Sequence, residues 1–402
     1  MGMRIRLTDE VRYLIRRLTL AGYGAWAVGG CVRDGILGRE IHDWDVCTSA
    51  KPLEIMRVFE AEKVVPTGLK HGTLTVIIAG AAIETTTLRT DGDYSDHRRP
   101  ESVRFVDELS LDLARRDFTI NAMAYNDEEG LIDIFGGVDD IGGGVIKCVG
   151  NARERFGQDA LRILRAARFS SQLDFTIEAS TGEAAYDMRF DLNYISRERV
   201  LAEMVKLLEG KANARAAREN AAIISAALGV ESIDVSWKRL EADAPVAFAL
   251  ILADKAVNAV RSLKADNRTI SRVKSLCEIM DRPVPNTPYQ ALTLLKDAEN
   301  DAAVEDLMRV WACRNVKFNE DVIISAMSKC HRVKDLAVNG NDLAAMGYTG
   351  KAVADALRAL LNLVISGEAE NTREALVRIS SASRQYPRED AKNDEDMTRR
   401  LV

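Results

Sequence analysis

The chain has 402 residues, 47% of them apolar, and 55 basic against 61 acidic side chains give it a formal net charge of −6. That length and apolar content suffice for large cores in two or three domains, and no apolar run approaches the about 18 residues that a membrane span needs. Met1 to Asp9 is charged and lacks the apolar stretch of a signal peptide, so a soluble cytoplasmic protein is expected, and the negative balance argues against generic polyanion binding unless basic side chains are gathered locally.

Gly24-Ala25-Trp26-Ala27-Val28 reads as a short buried strand, Gly29-Gly30 as a tight turn, and Cys31 to Leu37 as the first turns of a helix. Glycines there let backbone N–H groups approach a phosphate, the helix N-terminus adds a favourable dipole, and Arg33 can pair with phosphate oxygens. Asp43-Trp44-Asp45 follows. Side chains two apart on a strand share a face, so Asp43 and Asp45 present adjacent carboxylates, a seat for magnesium. A triphosphate beside two metal-holding aspartates makes a nucleotidyl-transfer site, in which metal polarises the α-phosphate, activates a hydroxyl and stabilises departing pyrophosphate. Either half alone is commonplace; their order in one chain carries the argument.

Up to about residue 140, β-branched runs such as Thr73 to Ala79 and Ala82 to Leu88 alternate with short helical patterns, the mark of a mixed α/β sheet. Glu84 lies in one of these runs as a third carboxylate, available to deprotonate a 3′-hydroxyl or complete a metal shell. Asp93 to Pro100 forms a polar loop. In Arg115-Arg116-Asp117, arginine suits phosphate or ribose contacts and Asp117 can read a ribose hydroxyl; Asn121, one helical turn on, shares that face, with helix capping as the alternative for both. Gly136, Gly137 and the triple Gly142-Gly143-Gly144 mark a joint, either a flexible hinge or a loose turn.

From about residue 150 the periodicity becomes helical. Asp159-Ala160-Leu161-Arg162 falls in such a pattern, where residues three apart are neighbours. Cytosine and adenine both offer an amine donor beside a ring-nitrogen acceptor. A carboxylate and a guanidinium complement both, while uracil and guanine leave groups unpaired at about 1–3 kcal/mol each. Asp159 and Arg162 therefore choose C and A without a template, unless they form only a surface salt bridge. Arg165 and Arg168 extend the series as a stripe for a triphosphate or RNA backbone, or as solvated arginines. Ser196 N-caps a helix with Arg199 and Glu203 one turn apart and an apolar face of Val200, Met204, Leu207 and Leu208. Asp281 to Pro288 punctuates the helical region, Asn371 to Glu374 has capping-box spacing, and Lys351, Arg358 and Arg373 are available to phosphates. The six cysteines are scattered singly, as reduced packed thiols are, and the four histidines show no metal-ligand spacing.

Together with Lys70-His71-Gly72-Thr73, Ile83 to Arg89, Arg115 to Ala122, Asp159 to Phe169 and Ile195 to Arg199, these motifs resemble the class II tRNA nucleotidyltransferase and poly(A) polymerase family. Gly340-Asn341-Asp342-Leu343 and Gly347-Tyr348-Thr349-Gly350 are similar to the tail of the Firmicutes-type CCA-adding enzymes. The resemblance implies a polymerase-β-like α/β head over residues 1–140, then an all-α neck (141–210), body (211–285) and tail (286–383), with 384–402 disordered. It implies addition of CCA to the acceptor end of tRNA from CTP and ATP with Mg2+ and release of pyrophosphate. It assigns catalysis and metal to Asp43 and Asp45 with Glu84, and nucleotide binding to Gly29, Gly30, Arg33, Arg116, Asp117, Asn121, Asp159, Arg162, Arg165 and Arg168. The alternatives are a poly(A) polymerase, a CC-only or A-only enzyme, or a catalytically silent RNA-binding protein; monomer and homodimer stay open. Gln158 departs from the family's usual Glu: it still orients an arginine but forfeits the charge-assisted bond, which relaxes fidelity. In the family the loop at Asp93 to Pro100 serves the switch to A addition. Deleting it is expected to leave C addition near normal and stall the product at CC, read by sequencing 3′ ends; equal loss of both steps contradicts the lever.

Overall fold

The computed structural model describes residues 4–92, 103–237 and 243–385. The Asp93 to Pro100 loop and residues 386–402 of the C-terminal stretch lie outside them. The described chain packs as two compact units, one of residues 1–235 and 262–265, the other of residues 236–261 and 266–402. The expected head and neck thus share unit one with the first helices of the expected body. The Pro-rich stretch at 281–288 lies inside unit two instead of dividing units.

In unit one, Thr8 accepts from the Val11 N–H and opens helix α1 (Asp9–Leu20), which buries Val11, Leu14, Ile15 and Leu18 at three and four spacing. Strand β1 (Ala25–Val28) is buried throughout, and α2 (Gly30–Ile36) follows it. Then come β2 (Asp45–Thr48), α3 (Pro52–Val58), β3 (Lys63–Gly68), β4 (Thr73–Ile78), β5 (Ala81–Thr87), β6 (Arg89–Asp91) and β7 (Val103–Phe105). Helix α4 (Leu109–Ala114) leads to β8 (Met123–Asn126) and β9 (Gly130–Asp133). Seven strands form one sheet in the order β3-β4-β5-β2-β1-β8-β9, and β6 and β7 pair separately. The expected mixed sheet is present: β2 and β5 run parallel, and the other neighbours in the sheet are antiparallel. Trp26, Val28, Cys47, Leu88, Leu113 and Ala124 form a core against one sheet face.

The glycine joint is neither a hinge nor a loose turn. Residues Gly137–Gly143 form helix α5, and Gly144, at φ 65°, ends it in the left-handed conformation with its N–H donated to the Asp140 and Ile141 carbonyls. Beyond it, β10 (Val145–Ile146) pairs in parallel with β11 (Thr176–Ile177), around α6 (Ala152–Gln158) and α7 (Leu161–Leu173). Helices α8 (Ala179–Asp187) and α9 (Arg197–Leu208) follow, and α7 lies along α9. Ser196 occupies the cap position of α9, but its side chain accepts no capping bond.

Unit two is helical. Its helix Ala244–Leu252 is buried on nearly all sides, and Arg272 ties it to its neighbours by bonds of 2.6 Å to both Asp243 and the buried Asp306. Thr372, not Asn371, caps the last helix; Asn371 instead bridges the Asp335 carbonyl and the Ala337 N–H, and Arg373 is paired with Asp342. A Cβ at Gly137 would stand 2.4 Å from the Thr119 carbonyl oxygen and 2.9 Å from the Met123 sulfur. Gly137→Ala is therefore expected to cost about 1–3 kcal/mol, measured as a lower urea midpoint at unchanged slope.

Candidate active site

Parallel pairing of β2 with β5 sets Asp45 opposite Glu84, and the Glu84 N–H to Trp44 carbonyl bond of 3.3 Å extends that pairing one residue outward. Asp43 precedes the strand, yet the alternation holds: Trp44 is buried while Asp43 and Asp45 are exposed. Carboxylates thus gather on the two central strands of the sheet. The Asp45 carboxyl is pushed up to about 6, first because surrounding protein strips its hydration although it still reaches solvent, then by the negative charges of Glu84 and Asp43; Arg116 opposes the rise. Crowded oxygen donors of one sign suit a divalent cation. Among the described residues no three His, Cys, Asp or Glu side chains converge as a ready metal cage. Asp43 and Asp45 are two carboxylates that such a cation could share, with the rest of its shell left to other oxygens.

The Gly29-Gly30 turn lies next to these carboxylates through Arg116. Gly29 adopts φ +82°, and a Cβ there would stand 3.1 Å from Arg116 Nη1, so only glycine leaves that guanidinium in place. Its N–H is spent on the Met123 carbonyl at 3.2 Å, and α2 is only two turns long, so the expected phosphate cradle of Gly29 amide and helix dipole is reduced. Arg33 is also withdrawn: it is buried, bonded to both oxygens of Asp34 and, at 2.7 Å, to Asn121. Arg116 differs. Its Nη2 donates to Asp112, while its buried Nε has no hydrogen-bond partner among the described residues, a donor that an anionic oxygen would satisfy.

Behind these carboxylates lies a lattice of ions. Asp117 is buried; its Oδ2 accepts Arg165 Nε at 2.8 Å and Nη2 at 2.5 Å, and its Oδ1 accepts the Phe118 N–H and Asn121 Nδ2. Burial alone would raise its pKa, but Arg165 and Arg162 hold it far below the usual carboxylate range. The expected shared face of Asp117 and Asn121 is a direct bond, made in a turn rather than an α-helix, and the Asp117 carboxylate is fully engaged by protein donors. Nor are the arginines of α7 solvated. Arg168 is buried 2.6 Å from Glu203, and Arg33, Arg165 and Arg168 all lie over the Phe169 ring, at 5.1, 5.3 and 3.9 Å from its centre.

Base reading was expected from one continuous helix, but Asp159 is extended (φ −141°, ψ 103°) between α6 and α7 and caps the latter through the Leu161 N–H. The surface salt bridge with Arg162 does not form. Asp159 accepts Arg199 at 2.9 Å, and Arg162 donates to Gln158 at 3.0 Å and to the Arg155 and Arg115 carbonyls at 3.1 and 3.0 Å. Gln158 also accepts Arg155, so it orients arginines as expected of it. Three supports escaped sequence reasoning as site residues: Arg155, Arg199 and Asp112. Helical spacing was their signal, since Arg155 precedes Gln158 by three and Asp112 precedes Arg115 and Arg116 by three and four.

Paired aspartates at the start of a central strand beside a Gly-Gly turn, continued by a helical segment that aims an arginine, define a template-independent nucleotidyltransferase. Residues 25–147 match the poly A polymerase head domain, 174–219 a probable RNA and SrmB-binding site of polymerase A, and 240–379 a putative second domain of tRNA nucleotidyltransferase. The chain is 35% identical over 394 residues to the CCA-adding enzyme of Lacticaseibacillus paracasei, covering 92% of this chain and 94% of that one. Against the CCA-adding enzyme of Oceanobacillus iheyensis identity is 50% over 198 residues, 49% of either chain. The crystal structure of the Bacillus stearothermophilus CCA-adding enzyme in complex with CTP superposes with a TM-score of 0.74 at 32% identity, covering 94% of this chain and 97% of that one. The chain belongs to the CCA-adding enzymes, the tRNA nucleotidyltransferases of that family.

The depressed Asp117 carboxyl contributes stability that is present above its ordinary value of 3.8 and is lost as pH falls through its lower folded value. Asp117→Asn is expected to destabilise by about 3 kcal/mol at neutral pH, leaving Arg165 only its longer pair with Glu203, with the deficit shrinking below about pH 4. Denaturant titrations at several pH values measure it; a deficit constant down to pH 2 contradicts the ion-pair account.

Proposed function

We propose that this chain completes and repairs the 3′-terminal CCA of tRNA in the cytoplasm, adding CMP twice and AMP once from CTP and ATP, with release of pyrophosphate and no nucleic-acid template. One observation carries the reading: Asp45 faces Glu84 in register, with Asp43 beside them, at a site rimmed by the Gly29-Gly30 turn and by Arg116. Asp43 and Asp45 would hold Mg2+, which when bound would supply Lewis acidity for attack at the α-phosphate and for pyrophosphate departure. Glu84 takes the proton of the attacking 3′-hydroxyl. Arg116 gives its unpartnered Nε–H to a phosphate oxygen. Arg162 donates to the ring nitrogen of the base and Asp159 accepts from its amine, an edge that C and A share. Arg33, Asp117, Asn121, Arg165 and Arg168 act through the lattice that sets these groups. In unit two, Lys351 and the exposed Arg358 are the phosphate contacts for the tRNA acceptor half.

Given both nucleotides, transcripts ending at the discriminator base, at C and at CC are expected to gain CCA, CA and A in turn, and with CTP alone the first two are expected to stop at CC. Asp45→Asn is expected to abolish incorporation of both nucleotides. With chelator present it is also expected to raise the melting midpoint: the shift from 3.8 to about 6 corresponds to about 3 kcal/mol, which solvent screening of an exposed carboxylate reduces to about 1. Near wild-type incorporation by this variant overturns the metal assignment.

A further inference from the structure

Asp112 touches no reactant in the scheme above, yet it stands behind two of the groups that do. Helix α4 and the turn after it bring residues 112, 115 and 116 to one side. Asp112 is 1% exposed, so water does not share its hydrogen bonds. Its Oδ2 accepts Arg116 Nη2 at 3.0 Å, and its Oδ1 accepts Arg115 Nε at 2.9 Å, Arg115 Nη2 at 2.8 Å and the Arg89 N–H at 3.3 Å. Arg116 then has Nη1 against Gly29 and a buried Nε with no hydrogen-bond partner among the described residues. The same carboxylate fixes the residue whose carbonyl accepts Arg162 Nη2 at 3.0 Å.

We propose that Asp112 is a positioning residue that aims Arg116 at the triphosphate and, through Arg115, holds Arg162 at the base. The proposal rests on the functional reading given for Arg116 and Arg162. A buried carboxylate is expensive to desolvate, and a fastening alone would be served as well by apolar packing. What apolar packing cannot do is constrain the direction of two guanidinium planes through separate oxygens of one acceptor. Burial tends to raise the carboxyl's pKa, but Arg116 and Arg115 keep it below its ordinary value, so the fork stays charged at neutral pH.

The test is made on the full chain with Mg2+. Asp112→Asn keeps the shape and loses the charge, while Asp112→Glu keeps the charge and moves the oxygens by one methylene. Both are expected to weaken equilibrium binding of CTP and of ATP about tenfold and to raise KM about as much, with kcat changed less. UTP misincorporation on transcripts ending in C is expected to rise in parallel. Arg116→Lys is expected to cost far less in the Asp112→Asn background than alone, because the interaction it removes is already disordered. A purely structural Asp112 would instead lower the melting midpoint and the active fraction with nucleotide binding intact. Binding within twofold of wild type in whichever variant folds, or additive effects in the double variant, overturns the proposal. Nucleotide binding is read without turnover, so a wild-type chain that binds CTP and ATP but does not extend the transcripts would sink the functional reading and leave Asp112 to be judged on its own.

Discussion

The Asp117–Arg165 ion pair, in which two guanidinium nitrogens share one carboxylate oxygen, is the interaction on which the rest of unit one depends. Asp117 comes from the segment that leaves the catalytic sheet's helix α4, and Arg165 from the middle of α7. The pair is reinforced by the backbone: Thr119 N–H reaches the Lys147 carbonyl, and Val149 N–H reaches that of Asp117. A buried ion pair is seldom worth more than apolar packing, but it is unforgiving about geometry. Through Asn121 to Arg33 on one side, and through Arg165 to Glu203 on the other, that geometry extends from the Gly-Gly turn to α9.

The opposite logic governs the carboxylates of the central strands. There Asp43, Asp45 and Glu84 are placed so that Glu84 and Asp43 raise the Asp45 carboxyl, with Arg116 the opposing charge among the described residues. The fold carries this strain on β2 and β5, two strands braced from both sides, where a rigid ladder resists the splaying that like charges favour. The electrostatically costly part of unit one thus stands on central strands of its sheet, and the satisfied ion pairs lie around it.

Much of this was legible in the sequence because it rests on short-range rules. Period-two alternation across Asp43-Trp44-Asp45 and the β-branched runs after Thr73 follow from the pleat of a strand, and the order of strand, Gly-Gly turn and helix follows from backbone sterics. The register of Asp45 with Glu84 was not legible, since nothing in either segment states that β2 and β5 are neighbours. Gly142 to Gly144 misled because composition reports conformational freedom and not whether packing removes it; α5 uses two of those glycines in its last turn and the third as its stop. The exposure of Arg33 and Arg168 was misjudged for a related reason. Arginine is mostly a surface residue, and it takes partners remote in sequence, Asn121 and Phe169 for Arg33 and Glu203 for Arg168, to bring them inside.

The clamp on Arg162 has a consequence of its own. Its acceptors are one side-chain amide, from Gln158, and two peptide carbonyls, from Arg155 and Arg115. None of these groups gains or loses a proton in water. The arm is therefore held directly by fixed dipoles, and the charge of Asp112 reaches it only through Arg115. Its direct bonds do not vary with proton concentration, whereas a glutamate in place of Gln158 would have tied the aim of the arm to its own ionisation.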